Sequence, residues 1–219
     1  MEWLLIADAV LDVGMWAIAV VMLLLGLGML AAGYFCLKRK RLMQNVPTSK
    51  VKGVFIGLNE LKGMSRSSAP LISFLTDERC IWYSYDVEEE WETIEHTTDE
   101  DGNSDTEVRS GWKTIDRGQE RLVFDVEDET GRIQVIPKNA EFIGDRVLNR
   151  TVGQGDVLYY AKGPSMAIMD STGRRRFSEH LIAVDDDVYV LGSARVREDI
   201  AEPEIAYDEV DKNFLISSK

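Results

Sequence analysis

Four side chains in this 219-residue sequence are of the kinds that most often attack carbonyls, shuttle protons or hold soft metals: Cys36, Cys80, His96 and His180. A cysteine–histidine dyad needs thiolate and imidazole within hydrogen-bond reach in a pocket. Cys80 and His96 are sixteen residues apart, and Cys80 shares one face of an alternating stretch with Trp82, so both are read as structural. A zinc site needs four protein ligands, or three and water. Two histidines and one cysteine in the body reach three, without any ligand spacing, and His180 has only Glu179 beside it. There is no G-x-S-x-G elbow and no phosphate-cradling G-x-x-x-x-G-K-[ST]. No catalytic residue, metal or cofactor is expected.

Two charged constellations remain. Glu88–Glu90 and Asp125/Asp128 are carboxylate clusters, which in an acidic chain are usually solvated faces or turns. Arg174, Arg175 and Arg176 follow Gly173 and precede Glu179. They either bind an acidic partner segment or pair internally with Glu179 or the acidic strands, using the bidentate guanidinium geometry; the internal pairing is the favoured reading. Trp82, Tyr83, Tyr85, Trp91 and Trp112 are read as core and cross-strand packing rather than a ligand cage.

The elements that must position these groups are mostly strands. Ile81, Tyr83, Tyr85 and Val87 alternate with Cys80, Trp82, Ser84, Asp86 and Glu88, the period of a strand. The polar tract His96–Thr106 reads as a hairpin tip, and Trp112 lies on the return strand, so Arg79–Val87, Trp91 and Trp112 belong to one long antiparallel hairpin. Arg121–Pro137 reads as a second hairpin turning at Asp128–Gly131, with Gly131 supplying a positive φ. Further strands are expected over 50–60, over Pro70–Leu75, at Asp156–Ala161 and at Val188–Val196, with loop-like residues at 62–69. Ser178–Val184 reads as a strand or a helical turn. This spacing predicts an all-β barrel or sandwich.

The only helix expected is a membrane anchor. Residues 13–37 carry no charge, and 25 residues at about 1.5 Å each cross a hydrocarbon core of about 30 Å. Lys38–Arg41 follows at once, while Glu2, Asp8 and Asp12 precede, so the N-terminus is placed outside and the body in the cytoplasm. Cys36 in this run and Cys80 in the body form no disulfide, which suits a reducing compartment. The chain carries a net charge of −13, and setting aside the three N-terminal acids and four collar bases leaves −14 for residues 42–219. Such a body does not grip nucleic acid, whose affinity comes from phosphate neutralisation. The expected layout is an outer N-terminus over 1–12, a single membrane helix over 13–37, a basic collar and linker over 38–49, a β domain over 50–200 and a tail over 201–219.

The order of several residues resembles a known family. Gly53 and Gly57 in the opening segment, Pro70, then Cys80-x-Trp82-Tyr83, Trp91 and Trp112 come first. Asp128, Gly131 and Pro137 in the second hairpin follow, then Arg174-Arg175 with Glu179, and Gly192 in V-Y-V-L-G. This is similar to the GIDE domain, also called BAM for "beside a membrane", found in a mitochondrial ubiquitin ligase and in prokaryotic membrane proteins. The resemblance implies a β-rich module beside a bilayer and an E3 ubiquitin transferase label. Those ligases carry a second span and a RING, which needs eight zinc ligands, whereas these residues include four Cys and His in all. The expected function is a membrane-anchored, non-catalytic interaction module for a membrane or cytoplasmic protein partner. The alternative is an accessory or E3-like component of a ubiquitin-like transfer system.

Overall fold

The computed structural model describes residues 20–31, 33–34, 48–98, 104–197, 200 and 202–218. The chain divides into two units, Met1–Pro47 and Thr48–Lys219. In the first, residues 20–31 and 33–34 are helical and Leu23, Leu27 and Leu30 are exposed. The other residues of the expected span 13–37, the outer segment 1–12 and residues 38–47 lie outside the described residues. Among the described residues no helix is long and apolar enough to cross a membrane.

The second unit is nearly all β. In chain order its strands are β1 (Thr48–Ser49), β2 (Gly57–Arg66), β3 (Leu71–Ile72), β4 (Arg79–Thr98), β5 (Ser104–Arg121), β6 (Phe124–Asp128) and β7 (Gly131–Val135). Then come β8 (Glu141–Ile143), β9 (Asp145–Gly153), β10 (Ser171–Ala183), β11 (Asp187–Val196), β12 (Pro203–Ala206) and β13 (Leu215–Ser218). Strands β2, β6, β7, β12 and β11 form a closed circuit, because β11 also pairs with β2. Closure leaves no exposed edge within the circuit. β1 adds to β2, and β13 and β8 extend from β11. A second sheet runs β3-β4-β10-β9, with β5 on the same edge of β4 as β3.

Alternation fills the barrel. Leu61, Val126, Val135, Val190, Ile205 and Ile216 are all within 1% of complete burial. Ile81, Trp82 and Ile182 of the second sheet join this cluster, so one core ties the two sheets together. That explains why Cys80, Ile81, Trp82 and Tyr83 are all buried: the start of β4 is covered on both faces, not one. β11 changes neighbours at Gly192, from β13 over Val188–Leu191 to β12 over Ser193–Val196. A Cβ on Gly192 would stand 2.7 Å from Ile205 Cγ2 and 2.9 Å from the Phe214 ring, so only glycine admits the crossing.

The sequence expectations fare unevenly. The all-β body and both long hairpins are present. The strand expected over 50–60 is instead a single 3-10 turn, Val51–Gly53, with β2 beginning only at Gly57; the loop expected at 62–69 is largely β2 itself. Of Pro70–Leu75 only Leu71–Ile72 is strand. Asp156–Ala161 is a short helix, Val157–Ala161, because the Asp156 side chain accepts from the Leu158 N–H and caps it. Gly131 does not have a positive φ; the turn is held by Asp128, described below. The domain does not end at residue 200: β12 and β13 close and extend the barrel. The hairpin tip around 99–103 lies outside the described residues.

The role of β12 is directly testable. Ile205→Ala removes a fully buried side chain and is expected to cost about 2–5 kcal/mol, whereas Val210→Ala, at a position 90% exposed, should stay within about 0.5 kcal/mol. Equilibrium urea denaturation followed by tryptophan fluorescence reads both; equal, small effects would place 201–219 outside the core.

Candidate functional site

Strands β4 and β10 run antiparallel with Arg175 opposite Glu89 and Arg176 opposite Glu88. Because neighbouring residues of a strand point to opposite faces, two triplets of like charge are each split one inward, two outward. Arg174 reaches Glu90 at 3.1 Å and Arg176 reaches Glu88 at 2.7 Å, on the outer face. The Arg176 guanidinium also lies 4.5 Å over the Trp112 ring. Arg175 and Glu89 turn inward and meet at 3.2 Å, with side chains 1% and 0% exposed.

This inner pair is densely satisfied. The Tyr159 and Ser171 hydroxyls donate to Glu89 Oε1 at 2.7 and 2.6 Å. Arg175 Nη1 donates to the Tyr159 and Pro164 carbonyls, both at 2.8 Å, and Nη2 reaches the Met166 carbonyl at 3.3 Å. The guanidinium stands 4.1 Å from the Tyr159 ring centre. Arg175 Nε finds no partner among the described residues. A bulge makes the arrangement possible: the register shifts between Ser171 and Arg175, with Gly173 at φ 75° and its N–H on the Ser171 hydroxyl. Burial alone would push the Glu89 carboxyl up, but the Ser171 and Tyr159 hydroxyls and the Arg175 charge outweigh it and hold it below the usual carboxylate range.

What the pair holds is the segment between β9 and β10. Three of its carbonyls converge on one guanidinium, and four of its apolar side chains stay exposed: Val157, Tyr160, Met166 and Met169 are 81%, 63%, 82% and 86% exposed. Phe177, Val87, Val152 and Leu75 pack with Tyr159 beneath it. Exposed apolar side chains thus sit on a segment whose main chain is held by a buried polar pair.

The other residues singled out from sequence are dispersed. Glu179 is not an arginine partner. Fully buried, it accepts from Leu75 N–H at 2.7 Å, Thr76 N–H at 2.9 Å, and the Thr76 and Ser73 hydroxyls at 2.6 and 3.1 Å, fixing the loop after β3. Asp128 accepts the Thr130 hydroxyl and the Thr130 and Gly131 N–H groups on Oδ1, and the Val51 N–H at 2.9 Å on Oδ2. Burial works against its charge, yet these donors outweigh it and hold the Asp128 carboxyl below the usual carboxylate range. Gly53 ends the adjoining turn, Pro70 precedes β3, and Pro137 accepts the Ala140 N–H at 3.2 Å after β7.

Cys80 is completely buried, and desolvation, reinforced by the Glu179 charge, pushes its thiol up to about 12, so no thiolate is available there at neutral pH. Trp82 stacks on Phe142 at 4.9 Å, Tyr83 lies 6.4 Å from Tyr85, and the Trp91 ring covers Gly111. His180 contacts Arg146 at 3.3 Å, and the His96 side chain lies outside the described ones. Among the described residues no three His, Cys, Asp or Glu side chains group to hold a metal. Sequence reasoning missed Tyr159, Ser171 and the exposed segment they support, because Asp156–Ala161 reads as a strand. The signal was present in the two facing charge triplets.

A family model described as GIDE, E3 ubiquitin ligase, matches residues 93–219, more than half of the chain. No curated protein and no solved structure matches. The match takes in the outer arm of the long hairpin, β10 with its arginines and every strand of the barrel except β2. The chain therefore belongs to the GIDE family, a class known by its link to ubiquitin ligation.

Two measurements probe the inner pair. Arg175→Met strands the Glu89 charge and is expected to cost about 3–5 kcal/mol, while the double change Arg175→Met with Glu89→Leu should recover part of that loss. If the double variant is no more stable than the single one, the two residues do not act as a pair. The pH dependence follows from the lowered Glu89 value: the unfolded state binds the extra proton, so the pair's stabilisation is complete above about pH 5 and fades as pH falls through the depressed folded value. The penalty of Glu89→Gln should shrink in step on acidification, read from denaturation midpoints across pH.

Proposed function

We propose that this protein is a membrane-attached interaction module whose β domain binds a protein partner through the patch between β9 and β10, without itself performing chemistry. The observation that carries the reading is the effort spent on presentation. A buried ion pair fixes three main-chain carbonyls of a segment whose own apolar side chains, Val157, Tyr160, Met166 and Met169, stay exposed. Methionines suit such a surface, since their unbranched, polarizable side chains adapt to a partner's shape. The family supports a place in ubiquitin-like transfer, and the residues fit recruitment better than catalysis: the lone body cysteine is buried with its thiol raised to about 12. The uncharged run over 13–37 followed by Lys38–Arg41 supports a single span with the body in the cytoplasm. Attachment raises the domain's effective concentration for partners at the same bilayer.

The test is photocrosslinking in native membranes from position 166 or 169, followed by identification of the captured chain. A discrete adduct that is lost on Tyr160→Asp, and unaffected by Val210→Asp, is expected. A parallel assay asks whether the chain accelerates discharge of a ubiquitin-loaded conjugating enzyme. Discharge by this chain alone would overturn the non-catalytic reading in favour of a ligase.

A further inference from the structure

The stretch before β2 carries a second apolar feature, on a different part of the domain. Phe55 and Ile56 are consecutive, and 52% and 64% exposed. Their backbone is clamped by Asn59, itself completely buried. Asn59 Nδ2 donates to the Phe55 and Gly57 carbonyls, both at 2.7 Å, and Oδ1 accepts the Phe55 N–H at 3.3 Å. Gly57 completes the turn at φ 114°, a conformation open to glycine. One buried amide thus offsets three main-chain groups and holds two large apolar side chains in water, where their exposure is unfavourable.

The charged residues of this short stretch are both basic, although carboxylates of other elements, Glu129, Asp128, Asp125 and Glu202, stand nearby. Lys50 and Lys52 are exposed on the same short stretch. Lys50 pairs with Glu129 at 2.7 Å on a wet surface, where such pairs contribute little. Lys52 makes no ion pair among the described residues, and Asp128 is engaged with the Val51, Thr130 and Gly131 N–H groups. The four bases Lys38–Arg41 lie just upstream in sequence, whereas residues 42–219 are otherwise strongly acidic. An apolar tip with Lys52 beside it suits an anionic lipid surface: the ring and branch enter the acyl boundary while the ammonium group meets phosphate, and Lys50 is free to exchange its exposed Glu129 pair for the same contact. A protein partner for an acidic body would more naturally be basic, and these lysines would oppose it.

We propose that the Phe55–Ile56 loop inserts into the interface of an anionic bilayer, a second point of membrane contact beyond the uncharged N-terminal run. This rests on the proposed membrane attachment, and the experiment separates the two. In a Cys36→Ser full-length chain, where the remaining native thiol is the buried Cys80, Ile56→Cys carries a nitroxide. The labelled chain is reconstituted into phosphatidylcholine vesicles with and without phosphatidylglycerol, and relaxation by oxygen is compared with relaxation by a water-soluble nickel chelate. A matched label at Val210→Cys, in a position 90% exposed, reports the aqueous face. With phosphatidylglycerol present, oxygen should dominate several-fold at position 56 and the nickel chelate at position 210, and Lys52→Glu should reverse the ratio at 56. A chain retained by the vesicles with position 56 as wet as 210 overturns the inference and leaves the anchor standing. Equal insertion into neutral and anionic vesicles overturns its charge basis, and a chain that fails to associate with either vesicle overturns both.

Discussion

The structure turns on one desolvated pair. Removing a guanidinium and a carboxylate from water costs several kcal/mol for each ion, and their attraction repays this only when every remaining donor and acceptor is engaged. Here Glu89 has two hydroxyls besides Arg175, and Arg175 has three carbonyls and a tyrosine face besides Glu89, with only its Nε left without a partner among the described residues. Replacing such a pair with hydrocarbon is often neutral or favourable for stability. What hydrocarbon does not reproduce is direction. The guanidinium binds three carbonyls of one segment at fixed angles, and without it those carbonyls would turn to solvent and the apolar side chains would be free to fold under. The pair is therefore better understood as a device for keeping Val157, Tyr160, Met166 and Met169 outside than as a source of stability.

The same device recurs with other chemistry. Glu179 gathers the N–H and hydroxyl groups of the loop after β3; Asp128 ties the β6–β7 turn to the start of the domain at Val51; Asn59 clamps the Phe55–Ile56 loop. In each case a strand or strand end donates one polar side chain to an irregular segment that has no ladder of its own. Loops must satisfy their main-chain groups somehow, and a buried orphan costs as much as a lost hydrogen bond. A share of this acidic chain's carboxylates is accordingly spent inside, on connections, where their charge is met by backbone dipoles and hydroxyls.

Strand alternation made much of the fold legible in the sequence. The Arg79–Val87 run and the Arg121–Pro137 hairpin were readable because period-2 patterning persists through them and polar turns bound them. Failures cluster where local signals mislead for a physical reason. DVLYYA has the composition of a strand, but an aspartate cap starts a helical turn there, and Arg175 holds the Tyr159 carbonyl. KGMSR looks like a loop, yet a Cβ on Gly63 would stand 2.4 Å from the Glu127 carbonyl, so its glycine marks close packing inside β2. Residues 201–219 look like a polar tail because the two short buried runs, Glu204–Ala206 and Phe214–Ile216, are separated by polar and charged residues. Closure of a barrel is a long-range event that short strands do not announce. The candidate site was half visible: RRR and EEE were noticed, but pairing them requires knowing that β4 and β10 are neighbours across some eighty residues.

Membership of the GIDE family fixes a context rather than a reaction. The 219 residues here hold four Cys and His, so no RING lies within them. Arg175, Glu89 and Glu179 each spend hydrogen bonds on holding a loop, although Arg175 Nε finds no partner among the described residues.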